Sequence, residues 1–198
     1  MTADNPPYVK WDGLTPPYRT IVADPPWPYP EGFAGGPGHG KWKTVSLPYS
    51  PMALADIEAL PVASLSDRDC RLFLWATNRY LPAGLQVLAR WGFAYKQTLT
   101  WSKPDSNLGG SVAPTSAEFL LVAVKGSPPV MGRWPASVVE ALHPRSHSTK
   151  PPAFLDIVER VSPGPYVELF ARSPRLGWDH WGLGYEAGSE PIALDFGS

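Results

Sequence analysis

The stretch 18–27 reads Tyr18-Arg19-Thr20-Ile21-Val22-Ala23-Asp24-Pro25-Pro26-Trp27, and it decides the fold class. Its first six residues carry aromatic and β-branched side chains, as a buried strand does. The strand must stop at Asp24, because neither Pro25 nor Pro26 has an N–H to give to a ladder. A glycine-rich run, Gly32 to Gly40, and then Lys41-Trp42-Lys43 follow, which predicts a loop at the strand's end.

The same alternation continues outward. Ser50 and Pro51 fit an N-cap and first helical position, opening a short helix with Leu54, Ile57 and Leu60 on one face. Residues 71–76, containing Leu72-Phe73-Leu74-Trp75, read as a buried strand. Residues 81–91 read as a helix with Leu85, Leu88 and Trp91 inward, stopped by Gly92. Strands are predicted over 95–101 and 118–124, separated by a polar loop over 102–115. Ser148-Thr149-Lys150-Pro151-Pro152 opens a helix whose inner face is Phe154, Leu155, Ile157, Val158 and Val161. Ser162-Pro163-Gly164 breaks it, and a strand over 166–171 ends at Arg172. This order predicts an α/β domain: a mostly parallel sheet with helices on both faces. Ligands in such sheets sit outside the carboxyl ends of the strands, where Asp24 and Arg172 both fall.

Bulk properties narrow the classes. The 198 residues fit a single domain over 1–198, and 43% hydrophobic residues suit a folded soluble protein. The count of 25 prolines and 18 glycines predicts many fixed loops. A formal charge of −1 counts against a broad basic surface, so nucleic-acid binding has to rely on a local patch and on base contacts. No apolar run is long enough to span a bilayer, and residues 1–10 lack the apolar core of a secretory signal. The one cysteine, Cys70, has no internal disulfide partner. A cytoplasmic protein is the expectation. No metal site is expected, since His143 and His147 have no acidic or cysteine partner nearby.

Asp24-Pro25-Pro26-Trp27 carries the sharpest chemical signal. An aromatic amine such as adenine N6 is planar and a poor nucleophile, because its lone pair is delocalised into the ring. An acceptor on each N–H favours a more tetrahedral nitrogen. Asp24 can supply one acceptor and the Pro25 carbonyl another, with Pro25 and Pro26 restricting the backbone beforehand. Trp27 offers a flat apolar wall for a purine.

At these residues the chain resembles the adenine-N6 methyltransferases typified by the messenger-RNA adenosine methyltransferase, a family with bacterial and phage members acting on DNA. The likeness includes Ala23 to Trp27, Leu47-Pro48-Tyr49, Leu72 to Thr77, Leu88 with Trp91-Gly92-Phe93, and Glu118 to Gly126. It continues through His147-Ser148-Thr149-Lys150-Pro151, Glu159 to Gly164, and Glu168-Leu169-Phe170-Ala171-Arg172. The resemblance implies a Rossmann-like class I methyltransferase fold in permuted (beta-class) motif order, and S-adenosyl-L-methionine as cofactor. It implies direct in-line methyl transfer to adenine N6, with Asp24, Pro25, Pro26 and Trp27 as the catalytic motif. Lys150 then matches a contact to the cofactor's carboxylate, and Glu168, Arg172 and Ser173 flank the cofactor strand, with Asp24 also facing the cofactor.

Other assignments stay open. Tyr49 lies near the target base or packs behind Pro48, and Glu118 is either a family acidic position or a structural carboxylate. Lys41, Lys43, His143, Arg145 and His147 form either a phosphate-binding patch or a set of solvated loop charges. The chain departs from the family at Leu183 and Gly184, which follow Trp181-Gly182 where polar residues commonly contact the cofactor ribose. The compact chain favours DNA as substrate over RNA, with a flipped adenine in duplex DNA. The alternatives are the same reaction on RNA, or a catalytically silent scaffold subunit. A homodimer is a further expectation, since no separate target-recognition segment is evident.

Overall fold

The computed structural model describes residues 11–29, 51–104, 115–142 and 150–182. Seven strands join one sheet: β1 (Tyr18–Ala23), β2 (Ser66–Thr77), β3 (Ala94–Ser102), β4 (Ala117–Lys125), β5 (Val138–Glu140), β6 (Tyr166–Leu169) and β7 (Trp178–Trp181). Their order across the sheet is β5-β3-β4-β2-β1-β6-β7. β1 lies parallel to β2 and β6, β6 to β7 and β3 to β5, while β4 runs antiparallel between β2 and β3. The sheet is mixed and mostly parallel, as the Rossmann-like reading requires.

Helices α1 (Leu54–Ala59), α2 (Leu81–Arg90) and α3 (Pro152–Val161) divide between its faces. Side chains alternate along each strand, so β2 sends Leu72, Leu74 and Ala76 into one core and Phe73 and Trp75 into the other. The first core takes Ile57 of α1 with Val87 and Leu88 of α2. The second takes Phe154, Ile157, Val158 and Val161 of α3. Among the described residues no helix is long and apolar enough to cross a membrane.

Several boundaries differ from the sequence reading. α1 begins at Leu54 with Ala53 as its N-cap, so Pro51 precedes the helix, and Ser50 lies outside the described residues. Leu85 is 41% exposed, because the buried stripe of α2 runs through Gly84, Val87 and Leu88 and Leu85 sits about 100° around the helix from it. Leu155 is half-buried beside the inner face of α3. β6 stops at Leu169, since Phe170 adopts a left-handed backbone (φ 63°) that ends the extended run. β5 and β7 are strands that the sequence reading leaves out. The polar pair Asp179-His180 between two tryptophans hides the second of these.

This topology brings three distant segments to one end of the sheet. Ala23 of β1 lies beside Leu169 of β6, so residues 24 and 170–173 leave their strands together. β4 runs the other way, so its start faces the finish of β2: Thr77 pairs with Glu118.

Candidate active site

The backbone after β1 is held at every step. The Asp24 N–H donates to the Leu169 carbonyl at 3.3 Å, the Trp27 N–H to the Pro25 carbonyl at 2.8 Å, and the Met52 N–H to the Pro26 carbonyl at 2.9 Å. The Trp27 indole donates to the Trp75 carbonyl at 3.1 Å and stacks on Tyr80 with centroids 5.3 Å apart. Trp27 is only 3% exposed. One face of the indole is covered by Tyr80 and its N–H is taken by the Trp75 carbonyl, so the side chain ties the turn after Asp24 to β2. The Pro25 carbonyl already accepts this one hydrogen bond from the Trp27 N–H, and a carbonyl oxygen has a second lone pair.

Asp24 sits in a line of alternating charge. Its Oδ2 accepts from the Lys150 Nζ at 2.7 Å and lies 3.9 Å from the Arg172 guanidinium. The same Lys150 ammonium is 3.4 Å from Glu118 Oε2, and the other Glu118 oxygen accepts from Lys103. Tryptophans border both lysines: the Lys150 ammonium is 5.3 Å from the Trp75 ring centroid and that of Lys103 is 4.2 Å from Trp101. Burial works against the Lys150 charge, but Asp24 and Glu118 outweigh it and hold its pKa above the usual lysine value. Burial likewise pushes Glu118 up, and the two lysines overcome that and hold it below the usual carboxylate range. A cation just ahead of a helix N-terminus is ordinarily disfavoured. Lys150, two residues before α3, is retained there by two carboxylates.

A cleft opens on this line, bordered by Asp24, Trp75, Lys150, Phe154, Glu168, Phe170, Arg172 and Ser173. Its wall includes the left-handed Phe170, whose N–H donates to the Trp181 carbonyl. The chain can cross here because residue 182 is glycine: a Cβ on Gly182 would come within 2.6 Å of the Phe170 Cα. Burial pushes Glu168 up to about 7, and the nearby Asp24 charge adds to it. Cation, anion and apolar surface thus meet at the carboxyl ends of β1 and β6. Such a cleft can take a zwitterionic ligand with an aromatic portion.

The structure therefore gathers Asp24, Lys150, Glu168, Arg172 and Ser173 in one cleft, with Glu118 directly behind Lys150. Tyr49, Lys41, Lys43 and His147, together with His143, Arg145, Leu183 and Gly184, lie outside the described residues. Sequence reasoning missed Lys103, Trp75 and Phe170. The only cue for Lys103 was its place directly after a strand end. Among the described residues no group of three or more His, Cys, Asp or Glu side chains could hold a metal ion.

The MT-A70 family profile matches residues 18–184, from the first residue of β1 to just beyond β7. The chain belongs to the MT-A70 family. It is 32% identical to the type II methyltransferase M.MunI of Mycoplasma sp, over 84% of this chain and 77% of that protein. A putative N(6)-adenosine-methyltransferase MT-A70-like protein of Medicago truncatula is 32% identical over 81% of this chain. The N(6)-adenosine-methyltransferase catalytic subunit METTL3 of Homo sapiens is 29% identical over 78%. This chain spans only 25% and 26% of those two longer proteins. As an MT-A70 member the chain is a methyltransferase, and Asp24-Pro25-Pro26-Trp27 and the strand before Arg172 both fall inside the matched region.

Proposed function

We propose that this MT-A70 protein methylates the N6 amine of adenine in DNA, with S-adenosyl-L-methionine as donor. The observation that carries the reading is Asp24, a carboxylate fixed at a strand end and held by Lys150 in a cleft that also presents Arg172 and Glu168. The residues fit the donor by charge. Lys150 and Arg172 suit its carboxylate and polar adenosine portion, Asp24 and Glu168 suit its cationic centres, and Ser173 adds a hydroxyl at the rim. When bound, the donor supplies an electrophilic methyl group on a sulfonium that departs as a neutral thioether.

The chain's own part is acceptance and alignment. Asp24 accepts one amine hydrogen and the second lone pair of the Pro25 carbonyl accepts the other, so the nitrogen lone pair gathers on the face turned to the methyl group. Lys150 holds the carboxylate in place. Asp24 is then the base nearest the nitrogen as it gains a bond and sheds a proton. Trp27 acts from behind, pinning the turn through Trp75 and Tyr80.

DNA is favoured over RNA on the likeness to the type II methyltransferase M.MunI, 32% identical over 84% of this chain, against 29% over 78% for METTL3. Transfer of labelled methyl to matched DNA and RNA oligonucleotides tests this. The expected result is incorporation into DNA at least about tenfold faster. Equal rates would remove the preference for DNA and faster transfer to RNA would reverse it, in both cases leaving the chemistry in place.

A further inference from the structure

Lys103 stands at the far end of the charge line, on the side of Glu118 away from Lys150's partner Asp24. It does not border the cleft, yet it is 6% exposed at the end of β3, where an ammonium is costly to keep. Its N–H donates to the Ser116 carbonyl at 2.8 Å, and Ser102 pairs with Ala117. The strand register therefore fixes Lys103 against Glu118. A neutral donor would fill the hydrogen bond to a Glu118 oxygen but would leave its charge to Lys150 alone, so the full charge of Lys103 has a consequence for Lys150.

That consequence lies one residue further along. Glu118 gives one oxygen to each lysine, and Lys150 stands at 3.4 Å from Glu118 but at 2.7 Å from Asp24. Lys150 is thus shared unequally between two carboxylates, and the one with its own buried cation holds it less closely. Without the Lys103 charge, Glu118 would face Lys150 as an uncompensated buried anion and draw the ammonium back from the cleft. We propose that Lys103 is a positioning residue for donor binding, acting through Glu118 to leave the Lys150 ammonium forward with Asp24.

This rests on the reading of the cleft as the S-adenosylmethionine site, and a binding measurement separates the two claims. Titration calorimetry with S-adenosylmethionine is applied to wild type, Lys103→Met, Glu118→Gln and the double variant, with melting temperature recorded for each. Lys103→Met is expected to weaken donor binding about tenfold, within the range for residues sharing one charge network. Adding Glu118→Gln removes the competing anion and is expected to restore affinity to within about threefold of Glu118→Gln alone. A residue that only supports packing would lower the melting temperature and leave affinity unchanged, and that outcome overturns the proposal. So does a double variant that binds as weakly as Lys103→Met. Should Lys103→Met fail to fold, the Glu118→Gln background decides. There the Lys103 change must be silent, and a loss beyond about threefold refutes action through Glu118. Absence of donor binding by wild type would refute the donor site itself.

Discussion

Two cations beside tryptophans, Arg71 buried and Lys150 partly buried at different places along the same sheet, show what separates a clamp from a working site. Arg71, paired with Thr20 early in β1, lies 5.6 Å from the Trp134 ring centroid. Its guanidinium donates to the carbonyls of Pro128, Pro129 and Val161 and to the Ser162 hydroxyl, at 3.0–3.2 Å. All these partners are neutral, and most are main chain. Lys150, at the carboxyl end, is held by two carboxylates, Asp24 and Glu118, each able to exchange it for another cation. Fixed neutral acceptors make a rigid joint between the 128–129 loop and the end of α3. Ionised acceptors make a set of charges that a ligand can redistribute.

The comparison is tested most severely at Asp24. Asp24→Ala should reduce methyl transfer by about a thousandfold or more while the protein still unfolds cooperatively, since the acceptor is lost but both cores remain. Steady-state assay with a parallel melt checks this, and retained activity would make the cleft a second structural joint. Arg71→Ala should show the opposite pattern. It leaves several buried carbonyls unpaired, so stability should fall by about 3–4 kcal/mol in a denaturant titration, with turnover per folded molecule unchanged. Lys150→Ala should weaken donor binding by about tenfold to thirtyfold with a smaller effect on folding, as calorimetry can read.

The smallest effect concerns Glu168. Its pKa is raised to about 7 in the folded chain from an ordinary value near 4.5. Between those values the folded state holds a proton that the unfolded chain has released, so this group lowers stability as pH rises through that window. Glu168→Gln should remove the decline, giving about 1–2 kcal/mol more stability at pH 8 and little change at pH 4. Melts at both pH values test it, and an equal gain at each would assign the effect to packing.

Much of this was legible in order. Asp24-Pro25-Pro26 announces a strand end and an acceptor pair, because proline's missing N–H is a local property that the sequence states outright. The inner faces of α2 and α3 follow from helical spacing, apart from Leu85 and Leu155 at the stripe's margin. What the sequence does not show depends on distant partners. Trp27 reads as a wall until Tyr80 and the Trp75 carbonyl are in place around it. Lys103 reads as one more polar loop residue, and its meaning appears only when antiparallel β4 brings Glu118 alongside. β7 escaped because its middle is charged and its register is set by β6 rather than by its own pattern.

The most direct test digests duplex DNA after incubation with the protein and methyl-labelled S-adenosylmethionine, then separates the nucleosides. The account predicts label in N6-methyldeoxyadenosine with wild type and none with Asp24→Ala. Label on cytosine, or equal labelling by the two proteins, would contradict it.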